Sequence, residues 1–563
     1  MKNHYERAIE MADRKMESFL KSKKQEMRVD SRNYGGIIVP KKGFAEPAHI
    51  VGTIDSCICL YYNERSSHYG DKRLLERANI GLDFLLNSVH EDGTMDLLET
   101  NFHDATVVSF AIQPIAYTYR VLIKYTNGSA IEKELERKLY TFFEKTSKGL
   151  REGGFHTPNH RWVLTSALSL VYNILGDESL REEAMLYLRE GIDCDEEGEY
   201  TERSTGVYNV INNRSLIIIA QELNMPQLYE HVERNLSMMF HYIEPDYSLC
   251  TMNSRRQDYG SLVYPDIYYE NYLIMASKTG NPHFAWMCDF WFNVLYHKNK
   301  AAILPYEINK APGAPMSFAK YMLDMGLKEF IPERMEEPSL DGEKFFTNSG
   351  IVRYRDRDIS WTLVKDKTPF LKFQHGEANI HVRLSASFFG VLGRFIPQDI
   401  SKLDDGGYRI SYKKQWGYKR PFDEPVDTSV WDEMDHSKRK DVMMQDYIVD
   451  IDIHPQEDGI MLDVQLDGVE NLPYKLELLL QPEGSIDSRD LSMPTLEGGY
   501  TFFKSNSIAY TFNDSSIEIV GGFCEHEYGP AMRGSDPQDQ SMHTLYVTGF
   551  TRDRRQLTFK AIK

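Results

Sequence analysis

The sequence predicts an α+β chain in two parts, a run of helical hairpins followed by an antiparallel β-sandwich. Three observations predict it. Apolar residues recur every three or four positions over roughly the first 330 residues. From about Asn348 the recurrence shortens to every second position. Between the two regimes lies 332–344, an acidic stretch with weak periodicity. At 563 residues the chain is too long for one hydrophobic core. Its 41% hydrophobic and 12% aromatic content is that of an ordered protein. The expected domains are 1–335 and 345–563.

Helices are expected at 6–24, 48–65, 72–89, 106–125, 131–148, 162–175, 182–191, 207–223 and 227–242. Each keeps one apolar stripe, as Leu164, Leu168, Val171 and Leu175 do in the sixth. Asp71 and Pro226 are start signals, and the short Gly, Asn and Asp turns make neighbours antiparallel. Strands are expected at 350–355, 359–364, 443–453, 461–466, 474–480, 500–504, 508–512, 517–519 and 545–548. Breaks such as Gln456-Glu457-Asp458-Gly459 separate them, the pattern of an antiparallel sandwich. Two cores of this kind are expected to share one cleft.

A formal charge of −19 argues against nucleic acid or an anionic membrane as partner. It leaves room for a polyanionic ligand in a locally basic cleft, because Arg161, Arg203, Arg214, Arg255 and Arg256 lie near the candidate motifs. Residues 1–25 lack the apolar core and cleavage site of a signal peptide, and no segment reads as a membrane span. The six scattered cysteines read as buried free thiols in a reducing compartment, so a cytoplasmic location is expected. A homo-oligomer is left open.

The chemistry concentrates in two helix starts. Asn159-His160 opens one, and Thr201-Glu202-Arg203-Ser204-Thr205-Gly206-Val207-Tyr208 opens another, with Tyr208 49 residues after Asn159. Elimination beside a uronate carboxylate requires three things: neutralisation of that carboxylate, a base for the C5 proton and an acid for the departing oxygen. Amide and imidazole donors serve the first, and a phenol can move protons for the others. Each residue also has an ordinary structural reading: Asn159 as a helix cap, His160 and Tyr208 as core side chains.

Those segments, with His375-Gly376-Glu377-Ala378-Asn379, resemble the heparinase II/III-like polysaccharide lyases, including alginate lyases of that fold. The resemblance implies an incomplete α/α toroid followed by an antiparallel β-sandwich, and β-elimination next to a uronic acid. It implies catalytic roles for Asn159, His160, Tyr208 and His375. Glu377 and Asn379 depart from the family pattern, where many members carry a second His and an Asp, so a zinc site is in doubt. A structural divalent cation at Glu377 and Asp405 is the remaining metal candidate, and no cofactor is required.

Further substrate-binding candidates are Asn101, His103, Trp162, Arg203, Arg255, Arg256 and Tyr259. Tyr412 and Trp416 join them from a basic aromatic stretch that reads as a loop over the cleft or as a surface hairpin. The expected partner is a uronate-containing oligo- or polysaccharide. Two rival readings remain. One is a glycoside hydrolase using carboxylates such as Asp104 and Glu202; the other is a non-catalytic carbohydrate-binding homologue. No Walker loop, dinucleotide fingerprint, His-Glu-x-x-His or Gly-x-Ser-x-Gly is present.

Overall fold

Hairpin after hairpin builds the first of two units, Met1–Phe240 with Ser254–Ser339; the second is His241–Asn253 with Leu340–Lys563. The computed structural model describes residues 4–296, 317–489 and 491–562. The helices of the first unit are α1 (His4–Lys21), α2 (Pro47–Tyr62), α3 (Lys72–Asn87), α4 (Ala105–Tyr125), α5 (Ala130–Glu152), α6 (Pro158–Leu175) and α7 (Glu178–Arg189). They continue with α8 (Tyr208–Glu222), α9 (Tyr229–Met238), α10 (Tyr269–Thr279), α11 (Pro282–Tyr296), α12 (Phe318–Leu323) and α13 (Met325–Lys328). A ribbon of β1 (Met95–Leu97) and β2 (Asn101–Asp104) precedes α4.

Sequence neighbours pair as hairpins, while α2, α4, α6 and α8 pack side by side inside an outer row of α3, α5 and α7. This is the layering of an incomplete α/α toroid. Composition explains which helix lies inside. Outer α5 buries one stripe, Leu135, Leu139, Phe142, Thr146 and Leu150. Inner α6 is buried from Trp162 through Val171 on every side. Its hydroxyls return to their own backbone, Thr165 to the Arg161 carbonyl and Ser169 to the Thr165 carbonyl, both at 2.7 Å.

Helix starts follow the expected chemistry. Asp71, Asp104 and Asp177 accept from the backbone two residues on, and Ser129 forms a capping box with Glu132. Gly149 is fixed by close packing, since a Cβ there would lie 2.4 Å from the Gly93 carbonyl oxygen. Helix α4 corrects one expectation. It is long and apolar enough by length and composition to cross a membrane, but 67% of its most apolar window is buried among its neighbours. It serves as a core helix of this unit.

In the second unit the strands are β3 (Gly342–Phe346), β4 (Ile351–Asp356), β5 (Ile359–Val364), β6 (Leu371–His375), β7 (Ala378–Ala386), β8 (Asp399–Lys402) and β9 (Tyr408–Lys419). Next come β10 (Asp441–Gln456), β11 (Gly459–Gly468), β12 (Pro473–Leu480), β13 (Ser485–Asp487) and β14 (Ser492–Met493). The last are β15 (Gly499–Phe502), β16 (Ser507–Phe512), β17 (Ser515–Val520), β18 (His543–Phe550) and β19 (Asp553–Ile562). One sheet runs β14-β13-β16-β17-β19-β11-β10-β9-β8 and the other β15-β18-β12-β7-β6-β5-β4-β3. Among the described residues every strand pairing is antiparallel except β15 with β18. One apolar core draws on both sheets, with Val382, Leu384, Leu476 and Leu478 from one and Val449, Ile451, Leu462 and Val464 from the other.

One feature departs from the sequence expectation. The segment His241–Asn253 belongs to the second unit although it lies within the range read as helical. It brings Glu244, which is fully buried, to Arg353 at 2.8 Å, Lys372 at 3.0 Å and the Ser360 hydroxyl at 2.7 Å. The basic aromatic stretch is not a loop: it is β9, which pairs antiparallel with the next strand, β10, as the surface-hairpin reading expects, with the half from Lys413 to Lys419 largely exposed.

Candidate active site

Three inner helices begin next to one another. Asp104 caps α4, Asn159 and His160 sit in the first turn of α6, and Tyr208 is the first residue of α8. Helix N-termini present unpaired N–H groups and positive potential, the setting that favours an anion. The segment ahead of α8 is shaped by Asp258. Its carboxylate accepts from the Ser204 hydroxyl (2.8 Å), the Ser254 hydroxyl (2.6 Å) and the Gly206 N–H (2.9 Å). Ser204 in turn accepts from the Tyr208 N–H at 3.0 Å, and the Arg255 N–H donates to the Glu202 carbonyl at 3.0 Å. Arg203 makes the turn between Glu202 and Ser204 in the left-handed region, at φ 51°.

Glu202 is the hub of the cluster. Its Oε1 accepts from the Asn159 side-chain amide at 3.0 Å and lies 3.3 Å from Arg256 Nε. The Arg256 guanidinium sits 5.0 Å from the centre of the Tyr208 ring, and the Gln257 amide donates to the Tyr208 hydroxyl. The cluster grades from closed to open. Asn159 and Glu202 are buried, Tyr208 and Arg256 are half-buried, and Gln257 is exposed. Burial pushes the Glu202 carboxyl up, against the opposing pull of Asn159 and Arg256.

Burial also pushes the His160 imidazole down to about 4, with His156 adding to the shift, Asp104 opposing it and Arg256 adding a smaller part. At neutral pH this ring is therefore uncharged. Asn159 Oδ1, His160 Nδ1 and Glu202 Oε2 are buried polar atoms with no hydrogen-bond partner among the described residues. Native structures rarely leave such atoms unmet, so the cluster has capacity for a polar ligand.

The other expected residues divide. Asn101 lies beside the cluster, donating to Asp104 at 2.8 Å. His103 is exposed, 2.6 Å from Asp92. Arg255 and Tyr259 are exposed on the segment that carries Arg256. Trp162 is no sugar platform: it is fully buried, its indole N–H donates to Asp193 at 2.8 Å, and Arg161 covers its ring. Tyr412 is likewise a core residue, its hydroxyl donating to the Leu392 carbonyl, whereas Trp416 on the same strand is 48% exposed.

His375 ends β6 in the second unit. Its Nδ1 lies 2.8 Å from the Ser516 carbonyl oxygen and its Nε2 3.4 Å from Asp358. The two metal candidates, Glu377 and Asp405, are not brought together. Asp405 binds His454 at 2.7 Å, while Glu377 is held at the start of β17 by Ser515 and Asn513. Four strand spacings, about 19 Å, separate β17 from β9, the strand that follows Asp405. Among the described residues no group of three or more His, Cys, Asp or Glu side chains is placed to hold a metal ion.

Sequence reasoning did not assign roles to Gln257 and Asp258. It named Glu202 only as a rival catalytic carboxylate. Ser204 and Asp258 are 54 positions apart, too far for any local spacing rule.

No family model matches the chain, and no curated protein matches it in sequence. Solved structures do match in fold. The Paenibacillus xanthan lyase superposes with a TM-score of 0.59 at 9% identity, covering 100% of this chain and 57% of that one. The present chain thus spans little more than half of that protein. Streptomyces coelicolor chondroitin AC lyase, in complex with chondroitin sulphate, gives 0.51 at 11% identity over 99% and 77% of the two chains. Heparan sulfate lyase HepC from Pedobacter heparinus gives 0.50 at 10% identity over 91% and 75%. The chain has the fold of the heparinase-like polysaccharide lyases.

Proposed function

We propose that this protein is a polysaccharide lyase that cleaves next to a uronic acid by β-elimination. One observation carries the reading: Asn159, Glu202, Arg256 and Tyr208 form a single hydrogen-bonded and electrostatic cluster at neighbouring helix starts. Similarity of fold to three polysaccharide lyases supports the enzyme class.

In the proposed reaction the uronate carboxylate meets the helix N-termini and the Arg256 guanidinium, and the Asn159 amide exchanges one of its present acceptors, Thr157 Oγ1 at 3.2 Å or Glu202 Oε1 at 3.0 Å, for that carboxylate. These groups stabilise the negative charge that grows toward an enolate. A base takes the C5 proton, the C4–O bond breaks with its electron pair leaving on oxygen, and a C4–C5 double bond forms. Tyr208 is positioned to protonate the departing oxygen, with Gln257 and Arg256 fixing its ring and hydroxyl. His160, uncharged at neutral pH, is suited to accept or donate a hydrogen bond rather than to supply charge.

The carboxylate-pair alternative has less support. Asp104 is engaged with the Thr106 N–H and hydroxyl and with Asn101, and Glu202 is engaged with Asn159 and Arg256. A cytoplasmic location belongs to the same proposal, because the cysteines of the chain are unpaired, as a reducing compartment keeps them.

The test is near-ultraviolet absorbance during incubation with heparan, hyaluronan, chondroitin, alginate, pectate and glucuronan substrates. Elimination creates a conjugated double bond that absorbs, and Tyr208→Phe should abolish the rise. New reducing ends without absorbance would replace the lyase reading by hydrolysis.

A further inference from the structure

A cavity opens in the first unit, far from the Tyr208 cluster. It has a volume of about 610 Å³, in the range of sites for small ligands. Tyr61 and Tyr62 end α2 and Tyr125 ends α4, so the cavity lies at the C-terminal ends of two inner helices, one of which, α4, carries Asp104 of the candidate site at its other end. Helix α4 has 21 residues, which at 1.5 Å each puts about 30 Å between Asp104 and Tyr125.

The lining combines aromatic faces with cations. Five tyrosines contribute to it, and the Tyr69 ring is 57% exposed there. Tyr5 forms a fixed wall, its hydroxyl accepting from the Asn63 amide at 2.9 Å. Against that ring lie the Lys328 ammonium, 5.0 Å from its centre, and the Arg65 guanidinium, 5.8 Å away. Glu6 neutralises part of Arg65 at 3.0 Å, and Glu64 also lines the cavity. Among the described residues no carboxylate pairs with Lys328.

These groups match the parts of an acidic sugar. Its C–H faces stack on tyrosine rings, its hydroxyls meet amides and the carbonyls left unpaired at helix ends, and its carboxylate or sulfate meets a cation. Glu6 answers Arg65, Glu64 lines the cavity and Glu132 accepts from the Tyr62 hydroxyl at 2.6 Å, so the Lys328 ammonium over the Tyr5 ring is the cation placed to meet an anionic group. We propose that this cavity is a second, non-catalytic binding site for an acidic oligosaccharide, a further segment of the glycan processed at the Tyr208 cluster. The identity of the ligand rests on the proposed function. Two attachment points on one polymer raise its apparent affinity without helping a short oligosaccharide.

The test uses the full chain carrying Tyr208→Phe, so that ligand is not consumed, and counts bound hexasaccharide by calorimetry. The probes are uronate hexasaccharides of heparan sulfate, chondroitin sulfate and alginate, with cellohexaose as the neutral control. Two equivalents of an acidic probe are expected, and one after Tyr69→Ala with Lys328→Ala. Placed in the active enzyme, that double variant should raise KM for polymer about three- to tenfold and leave turnover of tetrasaccharides unchanged. Unchanged circular dichroism and melting temperature show that the variant folds.

A stoichiometry of one that the double variant does not alter overturns the second site, and so does equal binding of cellohexaose. Absorbance activity with single-site binding leaves the lyase reading intact and removes this one. Binding sensitive to Lys328 in a protein without lyase activity does the reverse.

Discussion

Two buried glutamates, one in each unit, share a chemistry and differ in what surrounds them. Glu244 in the second unit meets Arg353, Lys372 and the Ser360 hydroxyl, and both of its oxygens are used. Although burial is the largest influence on it, the combined effect of Arg353, Lys372 and the Ser360 hydrogen bond holds its carboxyl well below the usual range. Glu202 in the first unit meets one amide and one half-exposed arginine, and its Oε2 has no hydrogen-bond partner among the described residues. There burial wins and the carboxyl shifts upward. A saturated ion cluster is what a fold uses to hold itself together; an unsaturated one at helix N-termini has capacity left for a ligand.

The sharpest way to break this comparison is to alter each cluster and read both rate and stability. Tyr208→Phe should lower the elimination rate by about 10²–10⁴-fold while leaving the melting temperature within a degree or two, because only a proton donor is removed. A variant with wild-type rate would remove Tyr208 from the chemistry. Glu244→Gln should do the opposite. It leaves Arg353 and Lys372 buried without their counter-charge, a loss of about 3–5 kcal/mol in chemical denaturation. A loss below about 1 kcal/mol would show that water or rearranged side chains satisfy those cations.

The same contrast explains what the sequence could reveal. Helical and strand periods were legible where an element buries one face, as α5 and β17 do. Strand β9 was not, because its alternation stops after Tyr412 and the half from Lys413 to Lys419 is largely exposed. The excursion His241–Asn253 was hidden for a related reason: Ile243 extends the apolar rhythm of the preceding helix, and nothing local indicates that Glu244 pairs with residues more than a hundred positions away. At the candidate site, helix starts drew attention to Asn159, His160 and Tyr208. Of the residues that organise the site, Gln257 reaches Tyr208 and Asp258 reaches Ser204 and Gly206, each across about fifty positions. Trp162 misled because a residue near the start of a helix can face solvent or core, and its bond to Asp193 marks it as core.

A smaller effect sharpens the comparison. Glu202→Gln keeps an acceptor for Asn159 and removes a charge that is costly to bury. Stability should stay within about 1 kcal/mol of wild type, while the rate falls roughly tenfold as Arg256 loses its anchor. Steady-state kinetics and thermal melts on one preparation read both. If stability instead drops as in Glu244→Gln, the two clusters are alike and the distinction drawn between them is wrong.

The smallest expected effect belongs to pH. His160 sits at about 4 in the folded chain against 6.5 for the free side chain. Between those values the unfolded chain binds a proton that the folded chain does not, so stability falls as pH drops from 6.5 to 4 and is fully present above 6.5. Allowing for partial exposure, this contributes about 1–2 kcal/mol. Glu202 works in the other direction: its raised carboxyl takes up a proton first in the folded state, which relieves a burial penalty as the pH falls toward 4.5. Wild-type melts alone therefore mix two slopes of opposite sign. Comparing wild type with His160→Gln isolates one of them, and the variant should lose about 1–2 kcal/mol less over that window. Equal slopes would mean that His160 titrates as a free imidazole does, and that the site is open to water where the structure closes it.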